Sequence, residues 1–219
     1  MEAGVDDVAG LLLLIPPLLF ALTVHEYCHA LVATKLGDPT ARHLGRLTLN
    51  PIAHLDPIGT ILLFLPPHFG WAKPVPVDTR YLAHPRRDMM WIALAGPVSN
   101  VILAALFGTL LRVMAPNPYL SGSPAGVALI QMTAGSVFLN LNLAVFNMIP
   151  IFPLDGSRIL TGLLPEGAAE RYRALEPIGP MLLLGLVLIG SISRVSVFGT
   201  LISPIVRTLS AFFTGGLLG

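Results

Sequence analysis

The chain has 219 residues, of which 54% are hydrophobic and only 11% charged, and its mean hydropathy is +0.76. A soluble domain carries about 25% charged residues, so this composition points to lipid as the solvent. A formal net charge of +1 gives no electrostatic basis for nucleic-acid binding, and a single cysteine, Cys28, excludes an internal disulfide.

The N-terminal ten residues lack the basic segment of a cleavable signal, so the first apolar stretch is expected to remain as a membrane span. Apolar runs place core helices at about residues 8–35, 88–113 and 126–150, and C-terminal helices at about 175–193 and 196–215. The expected fold class is an all-α polytopic membrane protein with four or five transmembrane helices, forming a single domain over residues 1–219. Pro16 and Pro17 are expected to kink the first helix or to mark its N-terminal turn. Residues 195–219 carry only Arg207 as a charge and fit either a fifth span or an interfacial helix.

Between the first and second spans, residues 44–49 and 71–77 have short strand-like character, with Pro74 and Pro76 favouring an edge. Residues 58–67 are apolar but too short to cross a bilayer, which fits a re-entrant or interfacial segment. A small β-strand and re-entrant element is therefore expected in this connection.

Charge placement orients the chain. Ten of the thirteen Lys and Arg residues fall in the connections after the first and third spans, whereas the N-terminus offers Glu2, Asp6 and Asp7 and no base. The positive-inside rule then places both basic connections in the cytoplasm and the N-terminus outside a cell membrane crossed several times.

His25-Glu26-Tyr27-Cys28-His29 has the pattern H-E-x-x-H. On a helix, positions four apart are neighbours, so both imidazoles can reach one metal ion. Glu26, turned by roughly 100° from His25, is placed as a general base towards water at that ion. The five-residue pattern alone is weak, and its bland alternative is a pair of hydrogen-bonded interior histidines. Two histidines and a glutamate inside an apolar span are nonetheless costly unless paired or metal-bound. Asp155 ends a long uncharged run and offers a third ligand of a kind zinc accepts. It equally suits the N-cap of a helix beginning at Gly156.

With these residues in view, the chain resembles the site-2 protease family of intramembrane zinc proteases, in its compact prokaryotic branch. That family pairs H-E-x-x-H with N-x-x-P-x-x-P-L-D-G on a later helix, and residues 147–156 read Asn-Met-Ile-Pro-Ile-Phe-Pro-Leu-Asp-Gly. Residues 95–100, Ala-Gly-Pro-Val-Ser-Asn, resemble a further family element, as do residues 49–51, 56–59 and 70–74. The similarity covers roughly residues 8–190. It implies one catalytic Zn2+ held by His25, His29 and Asp155, Glu26 as the catalytic base, and Asn147 as a catalytic contact to substrate or oxyanion. Its expected substrates are transmembrane proteins, cleaved in or near the membrane during regulated intramembrane proteolysis.

Other residues have competing uses. Asn147 as an oxyanion donor competes with hydrogen bonding between helices, the reading preferred for Asn140 and Asn142. Asn100, His54 and Asp56 are candidates for the substrate-facing rim, with a local turn role as the alternative for His54 and Asp56. Gly96 and Pro97 suit close helix packing and a kink. Two other functions compete: a membrane metal-ion transporter, and a non-catalytic scaffold of the same fold. A transporter has no need of Glu26 between its histidines or of a ligand at a broken helix end.

Overall fold

The computed structural model describes residues 3–64, 70–193 and 197–218. In chain order its helices are α1 (Ala3–Lys35), α2 (Thr40–His43), α3 (Pro57–Phe64), α4 (Pro85–Met114), α5 (Pro118–Ser121), α6 (Pro124–Asn147), α7 (Asp155–Leu163), α8 (Glu166–Arg173), α9 (Gly179–Ser193) and α10 (Val197–Thr214). Four stretches are long and apolar enough to cross a membrane: Leu12–Lys35, Pro85–Met114, Pro124–Asn147 and Glu166–Gly190. At about 1.5 Å of rise per residue, the first three, each lying within one helix, exceed a hydrocarbon core of about 30 Å, whereas the fourth is divided between α8 and α9. The chain is thus an all-helical, multi-pass membrane protein.

Local chemistry sets the helix ends. Pro85 opens α4, where its missing N–H is no loss, and Asp88 reaches back to accept from the His84 backbone N–H at 2.8 Å. Ser123 accepts from the Gly126 N–H at 3.1 Å just before Pro124 opens α6. Pro16 and Pro17 lie inside α1 without ending it. Membrane helices tolerate proline where neighbouring groups satisfy the freed carbonyls.

Helices α1, α4 and α6 pack against one another, α7 packs on α4, and α10 lies along α4 and α6. Ala104, Val137, Leu141, Ile202 and Val206 form a buried cluster where α4, α6 and α10 meet. Arg112 Nη2 of α4 donates to the Phe212 carbonyl of α10 at 2.5 Å. The C-terminal helix is thereby held on the bundle. The helix expected over 175–193 begins at Gly179, and α7 and α8 precede it. Helix α7 lies outside the four stretches long and apolar enough to span, whereas α8 forms the start of the fourth, Glu166–Gly190.

Arg86, at the start of α4, pairs with Glu166 of α8 at 2.7 Å, and Arg173 meets the same carboxylate at 3.3 Å. These contacts put the two basic connections on one side of the bundle.

The expected small β element is corrected. Among the described residues there is no strand, only an isolated antiparallel bridge between Leu55 and Ala72. Residues 44–46 close α2 and residues 47–49 follow as bends: Gly45 takes φ +68°, Gly45 N–H bonds to Arg42 O, and Arg46 N–H bonds to Ala41 O. This is the hydrogen-bond pattern of a glycine-terminated helix. In the second segment Lys73 N–H donates to His54 O, while Arg46 donates from Nη1 to Pro74 O at 3.1 Å and from Nη2 to Lys73 O at 2.5 Å. Pro74 and Pro76 have no N–H for a ladder, and an arginine takes up the carbonyls instead. The apolar segment at 58–67 begins as α3, and residues 65–69 lie outside the described part.

Candidate metal centre

Helix periodicity assembles the site. Ala21, His25 and His29 follow one another at intervals of four along α1, and Ile92, Gly96 and Asn100 do so along α4. Where these two faces meet, the imidazoles of His25 and His29 stand edge to face, with ring centroids 4.6 Å apart. Both residues are buried, as is Glu26 between them. His29 lies six residues from Lys35 and His25 ten, roughly 9 and 15 Å from that end of the helix.

Asp155 arrives from the opposite end of the chain. It is the first residue of α7, and its side chain caps nothing, the N-cap position being Leu154. Gly156 permits the approach, because a Cβ there would collide with the Met148 and Ile149 carbonyls. Asp155 Oδ2 sits 3.1 Å from His25 Nε2 and 3.3 Å from His29 Nε2.

The outer nitrogens decide what the inner ones can do. His25 Nδ1 is 2.6 Å from Asn100 Oδ1, and His29 Nδ1 is 2.7 Å from the Ile92 carbonyl. Both partners are acceptors, so each neutral imidazole carries its hydrogen on Nδ1 and a lone pair on Nε2. Three lone-pair atoms then converge within 4.8 Å of one another, and Asp155 Oδ2 is buried without a hydrogen-bond donor. Such a cluster is self-repulsive and is satisfied by a cation. Neighbouring ligands of a tetrahedral zinc with bonds of about 2.0–2.1 Å lie roughly 3.3 Å apart, and the two measured distances to Asp155 agree. Gly96 closes the cradle: a Cβ there would come within 2.5 Å of His29 Nε2 and 2.6 Å of His25 Nε2. The residues present therefore fit a zinc ion.

The remaining candidates have other partners. Asn100 is fully buried and bonded to His25, a place behind the cluster and not on a rim open to substrate. His54 is also fully buried, with Nε2 2.8 Å from the Thr48 carbonyl. Asp56 accepts from the Gly59 N–H at 2.9 Å, at the start of α3. Asn147 ends α6 and donates from Nδ2 to Leu143 O at 2.9 Å. Asn142 does the same five residues earlier, to Phe138 O. Buried Arg46 lies in the field of Glu26: burial pulls its guanidinium below the ordinary value, and the Glu26 carboxylate opposes that shift.

Gly96 lies against both imidazoles and Asn140 bonds to Asn100 behind them, although their sequence signal reads as helix packing. That signal is a small or polar residue every fourth position within apolar helices: Gly96 and Asn100 in α4, Ser136 and Asn140 in α6.

The sequence model described as peptidase family M50 matches residues 13–186. YwhC of Bacillus subtilis, named as a candidate zinc metalloprotease, is 43% identical over 166 residues, covering 76% of this chain and 75% of YwhC. Rip2 of Mycobacterium tuberculosis, named likewise, is 34% identical over 165 residues, covering 73% of this chain and 59% of Rip2. The zinc metalloprotease MJ0392 of Methanocaldococcus jannaschii is 26% identical over 178 residues, covering 80% of this chain and 42% of its own length. The chain thus spans less than two thirds of Rip2 and of MJ0392. No solved structure matches significantly.

Proposed function

The chain belongs to peptidase family M50, and from that premise we propose that it cleaves transmembrane protein substrates in or near their spans, at the cluster of His25, His29 and Asp155. It is an intramembrane zinc metalloprotease. The observation that carries the assignment of the site is the convergence of two Nε2 lone pairs and one unpartnered carboxylate oxygen on the Gly96 cradle.

His25, His29 and Asp155 would hold the ion. When bound, zinc acidifies water and polarises the scissile carbonyl. Glu26, buried one residue from His25, takes a proton from the attacking water and returns it to the leaving amine as the C–N bond breaks. Asn147 spends one Nδ2 hydrogen on Leu143 O and has a second for the developing oxyanion. Burial of the ligands keeps the surroundings weakly polar, which strengthens each of these interactions.

The positive-inside rule supports a cytoplasmic placement of the Lys35 end of α1, with the N-terminus outside. The two basic connections share that side, joined through Arg86 and Glu166. The site then opens towards the cytoplasm, from which water and the unwound substrate reach Glu26.

The test is cleavage of a panel of single-span membrane proteins by wild type and Glu26→Gln, with zinc measured in both. Loss of cleavage by about 100-fold or more, with zinc retained, is expected for a general base. Undiminished cleavage by Glu26→Gln would sink the mechanism.

A further inference from the structure

We propose that Asn140, acting through Asn100, is a positioning residue that holds His25 in the tautomer and orientation a metal ligand requires. The inference rests on the assignment of His25 as a ligand. Three helices supply one directional chain of hydrogen bonds. Asn140 Nδ2 donates to Ser136 O within α6 at 2.8 Å. Its Oδ1 accepts from Asn100 Nδ2 of α4 at 2.8 Å. The second Nδ2 hydrogen of Asn100 goes to the Ala21 carbonyl of α1 at 3.2 Å. Both hydrogens of the Asn100 amide are then committed, and its one remaining polar atom, Oδ1, meets His25 Nδ1 at 2.6 Å. An oxygen at that place demands a hydrogen on Nδ1, which leaves the Nε2 lone pair aimed at the cluster.

The shape of Asn100 does not secure this direction, because an amide turned over occupies nearly the same space. Turned over, its NH2 group would face His25 Nδ1. The imidazole hydrogen would move to Nε2 and point at Asp155 Oδ2, and His25 would become a donor to the carboxylate and no ligand. Two acceptors oppose that state: the Ala21 carbonyl, which is backbone, and Asn140 Oδ1, which is a side chain. Against a turned amide each would face oxygen with oxygen. Asn100 and Asn140 are both fully buried, so no water relieves that conflict.

Asparagine also joins membrane helices without regard to the direction of its amide, and the two roles separate experimentally. The full-length protein in detergent is titrated with zinc against a chromophoric chelator, with His25→Ala as control and thermal unfolding of the metal-free proteins as the check on folding. Asn140→Leu should weaken zinc by about 10- to 100-fold, the usual span for groups that orient a ligand. In an Asn100→Asp background there is no amide to turn over, and a carboxylate accepts from His25 Nδ1 either way up. There Asn140→Leu should cost less than about 3-fold, a non-additivity of the kind a double-mutant cycle detects. Equal losses in both backgrounds would mean that Asn140 acts by packing alone, and would overturn the proposal. Should Asn140→Leu not fold, Asn140→Asp takes its place. It retains an acceptor towards Asn100 and should keep zinc affinity within a few-fold of wild type; a loss matching that of Asn100→Leu overturns the proposal. A wild type that binds no zinc, or a His25→Ala variant that binds as tightly, would instead refute the ligand assignment beneath it.

Discussion

Asp155 Oδ2 stands 3.1 Å from His25 Nε2, although 130 residues separate them in the chain. This distance turns a pair of histidines into a cage. Asp155→Asn keeps the side chain's size and its place at the head of α7 but halves its acceptor capacity and removes its charge. Zinc affinity should fall by more than about 100-fold, beyond the range for groups outside the ligand set. Metal analysis of the purified protein checks it, and one zinc per chain in the variant would remove Asp155 from the cage.

Gly96 offers a test in which two effects have opposite signs. Alanine in a helix is favoured over glycine by about 1 kcal/mol, so backbone preference alone favours Gly96→Ala. A methyl group there would need the space held by both Nε2 atoms, 2.5 and 2.6 Å away. Zinc occupancy and cleavage should therefore drop by about 10-fold or more, the scale for disturbed ligand orientation, while helix content by circular dichroism stays the same. A fully occupied, active variant would show that the cradle yields.

Arg46 ties residues 70–77 to the chain after α2 through the Lys73 and Pro74 carbonyls. Lysine retains the charge but not the planar fork that meets two acceptors at once. Both Arg46→Lys and Arg46→Met should accelerate hydrogen exchange at the Lys73 N–H, with the greater change in Arg46→Met. Slow exchange preserved in Arg46→Met would contradict the clamp.

The pair of Arg86 and Glu166 connects distant segments yet lies at the surface, with side chains 34% and 68% exposed. Exposed ion pairs contribute less than about 1 kcal/mol. Glu166→Ala should accordingly shift thermal unfolding only slightly, and less still at high salt. A large loss of stability would assign this contact a structural weight that its exposure denies.

His25, Glu26 and His29 are legible from helical spacing together with their place in an apolar span, because a helix brings positions four apart together and unpaired polar groups there are costly. Asp155 is ambiguous by the same logic: an aspartate before Gly-Ser-Arg suits a helix cap as well as a ligand, and only the packing of α7 on α4 brings it to the imidazoles. Gly96 and Asn140 are not legible as parts of a site. What a glycine or an asparagine does inside an apolar helix depends on the residue opposite, and spacing within one helix does not say which that is. The supposed strand at 44–49 misreads the close of α2, where Gly45 turns the chain with a positive φ. Of the alternating leucines only Leu44 belongs to that helix terminus, and Leu47 and Leu49 follow it in bends.

The ligands also lie in a temporal order. A growing chain that has threaded only α1 and α4 already holds both imidazoles, the Gly96 floor and the Asn100 acceptor. Asn140 joins with α6, and the carboxylate comes last, at the head of α7. On the proposed ligand set, tight capture of the ion coincides with closure of the bundle. On that ligand set, a chain ending before Asp155 would offer the ion two of its three ligands, and the full set would be complete only once α7 had been made.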